Sequence, residues 1–376
     1  MKKFRNCLGG MLVFLCLLGS CSMGGTALEE STLQEEENIE EKVKDSNKNG
    51  NEDEMKEDGS KKDDTGDPED TPKEILPPAS FICCKTLPEN EIVFEFSDTV
   101  SFVSLSFDSD LDPGYKVIEE KGSEIIIKLT ENLDPGLPIE ANLQVKDEYE
   151  NPINEQVSFL TRNNCVPFLQ INELRTEYSS SSSKAEFIEF KMLSDGNLSA
   201  LRVFIASNDK APMVYEFKPV KVKEGDYVVL HLRKLEGSCR DEYGENLSES
   251  GGTDSCPTAR DLWIHSSDKL LRKTDAVYVL DQDNKVLDAV MFAVDTNAWS
   301  KKDYFPETAE FLFKKGVWKS SAGTVCSITD VVNSSGIGSA MTRSISRNEA
   351  LGNTHTAADW YVTTTNGVTP GLPNKL

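Results

Sequence analysis

The chain's reactive side chains fall into a few groupings whose spacing can be tested against known chemistry. Asp45, Asn47, Asn49, Asn51 and Asp53 occupy alternate positions around Gly50, the oxygen-ligand spacing of a calcium loop. The position that a bidentate carboxylate must close is Lys56, and no apolar helices flank the run, so no calcium site is expected. The histidines, His231, His265 and His355, are widely scattered and no CxxC occurs, which is a poor zinc ligand set. His355 lies near Asp359 and serines are plentiful, the ingredients of nucleophilic catalysis. No G-x-S-x-G elbow precedes a helix, however, and no phosphate loop or dinucleotide fingerprint is present. "NSSGIGSAMTR" has a glycine spacing but sits in a serine-rich loop, where flexibility explains it. These patterns assign no catalytic residue, no metal and no cofactor.

The chain opens with "MKKFRNCLGGMLVFLCLLGSCS": basic Lys2, Lys3 and Arg5, an apolar run from about Leu8 to Leu18, then small residues. That is the pattern of an export signal, too short and wrongly flanked to span a bilayer. Leu18-Gly19-Ser20-Cys21 resembles a bacterial lipobox. The resemblance implies a signal peptide over residues 1–20, lipidation of Cys21 and anchoring in the cell envelope. Two or more acyl chains hold such an anchor stably. Ser22 is not an inner-membrane retention aspartate, which favours the outer membrane. Cys7 and Cys16 would leave with the signal. Of the later cysteines, Cys239 and Cys256 bracket the polar loop "CRDEYGENLSESGGTDSC" and are the expected disulfide. The pairing of Cys83, Cys84, Cys165 and Cys326 stays open.

Formal net charge is -24. Residues 22–78 hold 19 acidic and 7 basic side chains, a net of -12, and the signal carries +3, leaving -15 for the remainder. The 21–78 stretch has few apolar residues and is expected to be a disordered acidic linker behind the lipidated cysteine. A negative globular part disfavours nucleic acid, which needs cations to displace counterions. The basic clusters Lys218 to Lys223, Arg272-Lys273 and Lys314 to Lys319 are small and read as solvated faces.

Any site has to be positioned by strands. Between residues 79 and 163, "IVFEF", "FVSLSF", "EIIIKL", "EANLQVKD" and "QVSFLT" are short strands. They are separated by the turns Asp112-Pro113-Gly114, Asp134-Pro135-Gly136 and Glu150-Asn151-Pro152. Period-two alternation puts Ile125, Ile127 and Leu129 on one face, and Ala141, Leu143 and Val145 likewise. "LTENLDPGLPIEANLQVKDEYENPINEQVSFLT" resembles the second half of a bacterial immunoglobulin-like module, which implies a spacer. Some relatives of such modules bind copper through histidine and methionine, and residues 79–163 contain neither. From residue 164 onward more strands follow, with a hairpin turn over Asp281 to Asn284. Only Pro306 to Lys315 and Ile328 to Asn333 read as helical.

The order of this second part resembles the lamin-tail domain, an immunoglobulin-like sandwich. The resemblance rests on Ile171-Asn172-Glu173, Phe187-Ile188-Glu189-Phe190, Gly225-Asp226-Tyr227-Val228-Val229 and Val286-Leu287-Asp288-Ala289-Val290. It is completed by Ser344 to Arg347, Asp359-Trp360 and "TPGLPN". Lys191-Met192 and Leu201-Arg202-Val203-Phe204 depart from the family pattern, and insertions at about 235–261 and 300–342 enlarge the domain. The implied fold is all-β: two immunoglobulin-like sandwiches in tandem, 79–163 and 164–376, after the tether. The resemblance also singles out Asn172, Glu173, Glu189, Asp288, Arg347 and Asp359 as signature polar residues, and the four acidic ones are candidates to meet at one site with Arg347. They are expected to be structural, because buried carboxylates need partners. The function expected is non-enzymatic: a lipid-anchored envelope protein presenting its loops to a protein or glycan ligand. The alternative is an envelope hydrolase using the acidic cluster, alone or with a metal, which requires Glu173, Glu189 and Asp288 to meet in an open pocket.

Overall fold

A computed structural model describes residues 77–108, 112–208, 211–323, 326–339 and 341–376. Cys21, the acidic linker and the calcium-like run lie outside the described residues. The described fold is all-β, with two α-helices. No helix among the described residues is long and apolar enough to cross a membrane.

The first module has seven strands: β1 (Phe81–Leu87), β2 (Glu91–Phe96), β3 (Val100–Phe107), β4 (Tyr115–Lys121), β5 (Glu124–Leu129), β6 (Pro138–Asp147) and β7 (Pro152–Leu160). They form two antiparallel sheets, β1-β2-β5-β4 and β3-β6-β7. Alternation works as expected: Ile125, Ile127 and Leu129 from β5, and Ala141, Leu143 and Val145 from β6, all enter one core with Phe94 and Phe96. β1 and β4 were not expected from the sequence. Both are edge strands, and β4 is largely exposed, so its burial pattern has no period two. The Asp147 to Pro152 turn is built by a side chain. The Asp147 carboxylate accepts from the amides of Tyr149 (2.9 Å) and Asn151 (2.8 Å) and from the Asn151 side chain, and this holds Glu150 at φ 65.

In the second module the strands are β8 (Leu169–Arg175), β9 (Phe187–Met192), β10 (Gly196–Asn197), β11 (Arg202–Ile205), β12 (Met213–Glu216), β13 (Lys221–Val222) and β14 (Tyr227–His231). Then come β15 (Arg260–Trp263), β16 (Asp275–Leu280), β17 (Val286–Ala293), helices α1 (Ala298–Lys301) and α2 (Tyr304–Lys314), β18 (Val332–Asn333), β19 (Ile345–Arg347) and β20 (Trp360–Val362). A six-stranded sheet, β15-β14-β9-β8-β19-β20, encloses a shared core with a five-stranded sheet, β12-β11-β16-β17-β18; β10 and β13 form a small ribbon. The Asp281 to Asn284 turn joins β16 and β17 as expected, with Asn284 at φ 61.

Both insertions end by extending a sheet. The first delivers β15 parallel to β14, and the second delivers β18 parallel to β17. Helix α2 lies over β16 and β17 with Phe305, Ala309 and Leu312 buried, one helical stripe. The helix expected at Ile328 to Asn333 is instead a single 3₁₀ turn followed by β18. Asp330 causes this, because its carboxylate collects the Ser321 amide and the hydroxyls of Ser320, Ser321 and Ser327, and closes a capping box with Ser327.

The two sandwiches form one unit joined by a short, bonded connection. Buried Asn163 donates to the carbonyls of Asn197 (2.7 Å) and Ser199 (2.9 Å), and Gln282 exchanges two hydrogen bonds with its backbone. At the turn Asp134-Pro135-Gly136, Gly136 has φ +73, and a Cβ there would lie 2.5 Å from Ser199 Oγ and 2.6 Å from Pro219 Cγ. Only glycine lets the first module press this closely on the second.

Candidate functional site: a groove between the modules

The polar residues singled out in the sequence do converge, but in two buried sets. On β8 the register shifts between Ile171 and Glu173, a bulge that leaves Asn172 as the extra residue. Glu173 and Glu189 then stand opposite one another, on the face away from the main core. The segment 369–374 covers them. Glu173 accepts from the Thr369 amide and from Ser344 Oγ (2.5 Å), and Glu189 accepts from the Gly371 amide (2.5 Å) and from Asn172 (2.9 Å). Burial, and then the Glu173 charge, push the Glu189 carboxyl well above its usual range. In the second set Asp288 of β17 accepts from the Ile171 amide (2.8 Å) and from Arg347 (2.7 Å), tying the two large sheets together. Burial outweighs Arg347 and raises the Asp288 carboxyl. Asp359 caps its own 3₁₀ turn and lies 3.7 Å from Arg347. Asn374 links the sets by donating to the carbonyls of Asn172 and Arg347. Glu173, Glu189, Asp288 and Asp359 are each at most 1% exposed, so these carboxylates are hidden from solvent.

The expected Cys239–Cys256 disulfide is not formed; both thiols are free and buried. Asp261 accepts from the Cys256 amide (2.6 Å) and fixes its backbone, and the thiol donates to the Pro370 carbonyl (2.8 Å). Cys239 Sγ instead packs beside Gly252. The loop needs no bridge because buried charges fasten it. Asp254 pairs with Arg175 and accepts from the Ala185 amide (3.0 Å); Asp261 pairs with His231 (2.8 Å), whose ring stacks on Trp263 at 3.7 Å. Burial pulls the His231 imidazole down, but Asp254 and Asp261 outweigh it and raise it overall. Beside this set, Arg233 forks onto Glu186 at 2.6 and 2.7 Å. None of these partners was visible in the sequence, because Asp254 and Asp261 belong to an insertion whose docking face no local pattern records.

What remains open is a groove of about 540 Å³ at the junction. The Asp134-Pro135 turn of the first module forms one wall and the connecting Cys165 another. β10, β13 and Asp226 form the floor, and Glu245, Leu247 and Arg260 of the first insertion close it. A neighbouring 250 Å³ cavity shares Asp134, Pro135, Asn197, Lys221 and Glu245 and adds Leu137, Pro219 and Tyr243. Gly196 shapes the floor, since a Cβ there would come within 2.6 Å of the Cys165 carbonyl. Arg260 and Asn197 are 7% and 3% exposed yet line the groove. Cys165 is an exposed thiol at its rim.

Comparison with known proteins gives kinship without an activity. An uncharacterized protein of Treponema pallidum (strain Nichols) is 28% identical over 165 residues, covering 41% of this chain and 40% of that protein. The match therefore spans less than half of the relative's length. A solved DUF4876 family protein from Bacteroides thetaiotaomicron aligns with 52% of this chain and 74% of its own, at a TM-score of 0.21 and 11% identity. Residues 167–362, just over half of the chain and nearly the whole of its second module, match the model of the family described as TP_1001_2nd, protein second domain, and the chain belongs to that family.

Proposed function

We propose that this chain is a lipid-anchored bacterial envelope protein that binds a ligand in the groove between its two sandwiches, the second of them a lamin-tail-like domain. The anchor rests on Leu18-Gly19-Ser20-Cys21, with the outer membrane as its place. The binding role rests on one observation: in the groove, buried Arg260 and Asn197 keep unspent donors, whereas the acidic residues of the two buried sets have been given hydrogen-bonding partners. A solvated cleft lined by both charges and by Pro135, Val222 and Leu247 has the make-up of a recognition site.

Two experiments test this. Cys21→Ala should abolish incorporation of labelled fatty acid and move the chain to the soluble fraction; retention of label would remove the anchor. For the groove, a bulky maleimide placed on Cys165 should prevent capture of envelope components by the chain. Capture unchanged by that blockade would remove the groove as the binding site.

A further inference from the structure

We infer that the groove takes a short peptide, holding its terminal carboxylate on Arg260 and an ammonium group of the same ligand among Asp195, Asp226 and Glu245. This deepens the reading of the groove as the binding site and rests on it. Arg260 spends Nη1 on the carbonyls of Glu242 (2.5 Å) and Gly244 (2.6 Å), which fixes the plane of the guanidinium. It makes no ion pair within 4.0 Å among the described residues. Its Nε and Nη2 have no partner there, and neither is sealed from solvent. Those two nitrogens form the edge that accepts both oxygens of a carboxylate side-on.

Asn197 supports the same end of the ligand. Its Oδ1 accepts from the amides of Ser199 (2.9 Å) and Val220 (3.1 Å), so the amide is oriented and its Nδ2 is left without a partner among the described residues. Donors already fixed in orientation at the groove wall lose little freedom when a ligand brings acceptors to them. The carboxylates supply the opposite requirement. Asp195 and Asp226 each give one oxygen to a loop amide, those of Glu224 and Lys223 at 2.8 Å, and keep the other. Glu245 has no ion pair among the described residues. Four acidic and three basic side chains line the cleft, which suits a zwitterion better than a polyanion or an uncharged saccharide.

The test is isothermal titration of the full chain with Ala-Lys-Ala bearing free termini, with its C-terminal amide, and with chitotriose as an uncharged saccharide. The free acid should bind at least about tenfold more tightly than the amide, the loss of one charge-assisted pair. Glu245→Gln, an exposed change that leaves Arg260's own hydrogen bonds intact, should weaken the free acid several-fold. Equal affinity for acid and amide, or no peptide binding, overturns the inference. Chitotriose binding that a Cys165 label blocks would keep the groove as the site while removing the peptide. Silence from every probe, with envelope capture unaffected by the label, would remove both.

Discussion

Replacing Arg347 with alanine should be among the most damaging single changes in the second module. Its side chain is 2% exposed, lies 2.7 Å from Asp288, donates to the Ile171 carbonyl at 2.8 Å and stands 4.4 Å over the Trp360 ring. Removing one partner of a buried pair leaves an uncompensated charge and costs about 3–5 kcal/mol. The lost carbonyl bond and ring contact each add up to about 1 kcal/mol, although such contributions are not additive. We therefore expect Arg347→Ala to destabilise by about 4 kcal/mol, a large share of the roughly 5–15 kcal/mol typical of a domain. All four tryptophans, Trp263, Trp299, Trp318 and Trp360, lie in the second module, so their fluorescence in urea follows that module alone. With a slope of about 2.5 kcal/mol per molar, the midpoint should fall by about 1.5 M. The double variant Arg347→Met with Asp288→Asn should recover part of the loss, because it removes both charges together. A midpoint shift below about 0.4 M for Arg347→Ala would mean that the pair is worth no more than an exposed one, and the account of the sheet junction given above would be wrong.

Other predictions concern separate parts of the molecule. The serine hydroxyls and amides around Asp330 pull its carboxyl down against burial, from 3.8 to about 2. Because the folded value lies below the unfolded one, the stabilisation is present above about pH 4 and lost as pH falls towards 2. The stability gap between the wild-type chain and Asp330→Asn should be about 2 kcal/mol at pH 5 and should shrink to about 0.4 kcal/mol at pH 2, as read from urea titrations at each pH. Asn163→Ala removes two donors and one acceptor from the junction, and calorimetry should then resolve two unfolding transitions where the wild-type chain has coupled ones. Thiol labelling followed by mass spectrometry should find Cys165 modified first and Cys239, Cys256 and Cys326 modified only on unfolding; fast native labelling of Cys256 would contradict its bond to Pro370.

The strand framework was legible because alternation is a local signal. Ile125, Ile127 and Leu129 announce their face without reference to anything distant. The hairpin at Asp281 to Asn284 was equally local. Edge strands β1 and β4 were not, since a half-exposed strand has no apolar rhythm to read. Glu173, Glu189, Asp288, Arg347 and Asp359 were legible as a group because they stand at matched motif positions. The group's division into two sets depends on which sheet carries Asp288 and on where residues 369–374 return, both long-range facts. The disulfide expectation failed for a related reason: proximity in sequence suggested Cys239 and Cys256, while Asp254 and Asp261 already hold the loop through partners outside it, Arg175 and His231. Arg260 and Asn197 carry no motif at all, and they acquire meaning only once the two modules are set side by side.

The carboxylates beneath the segment 369–374 also bear on the order of events as the chain is made. Thr369 and Gly371 bring the backbone amides that Glu173 and Glu189 accept, so before residues 369–374 dock the two acids lie on an open face and keep only side-chain donors, Ser344 and Asn172. Docking of that segment is therefore the step that buries the acidic face of the six-stranded sheet, and the two amides it carries are what make that burial tolerable.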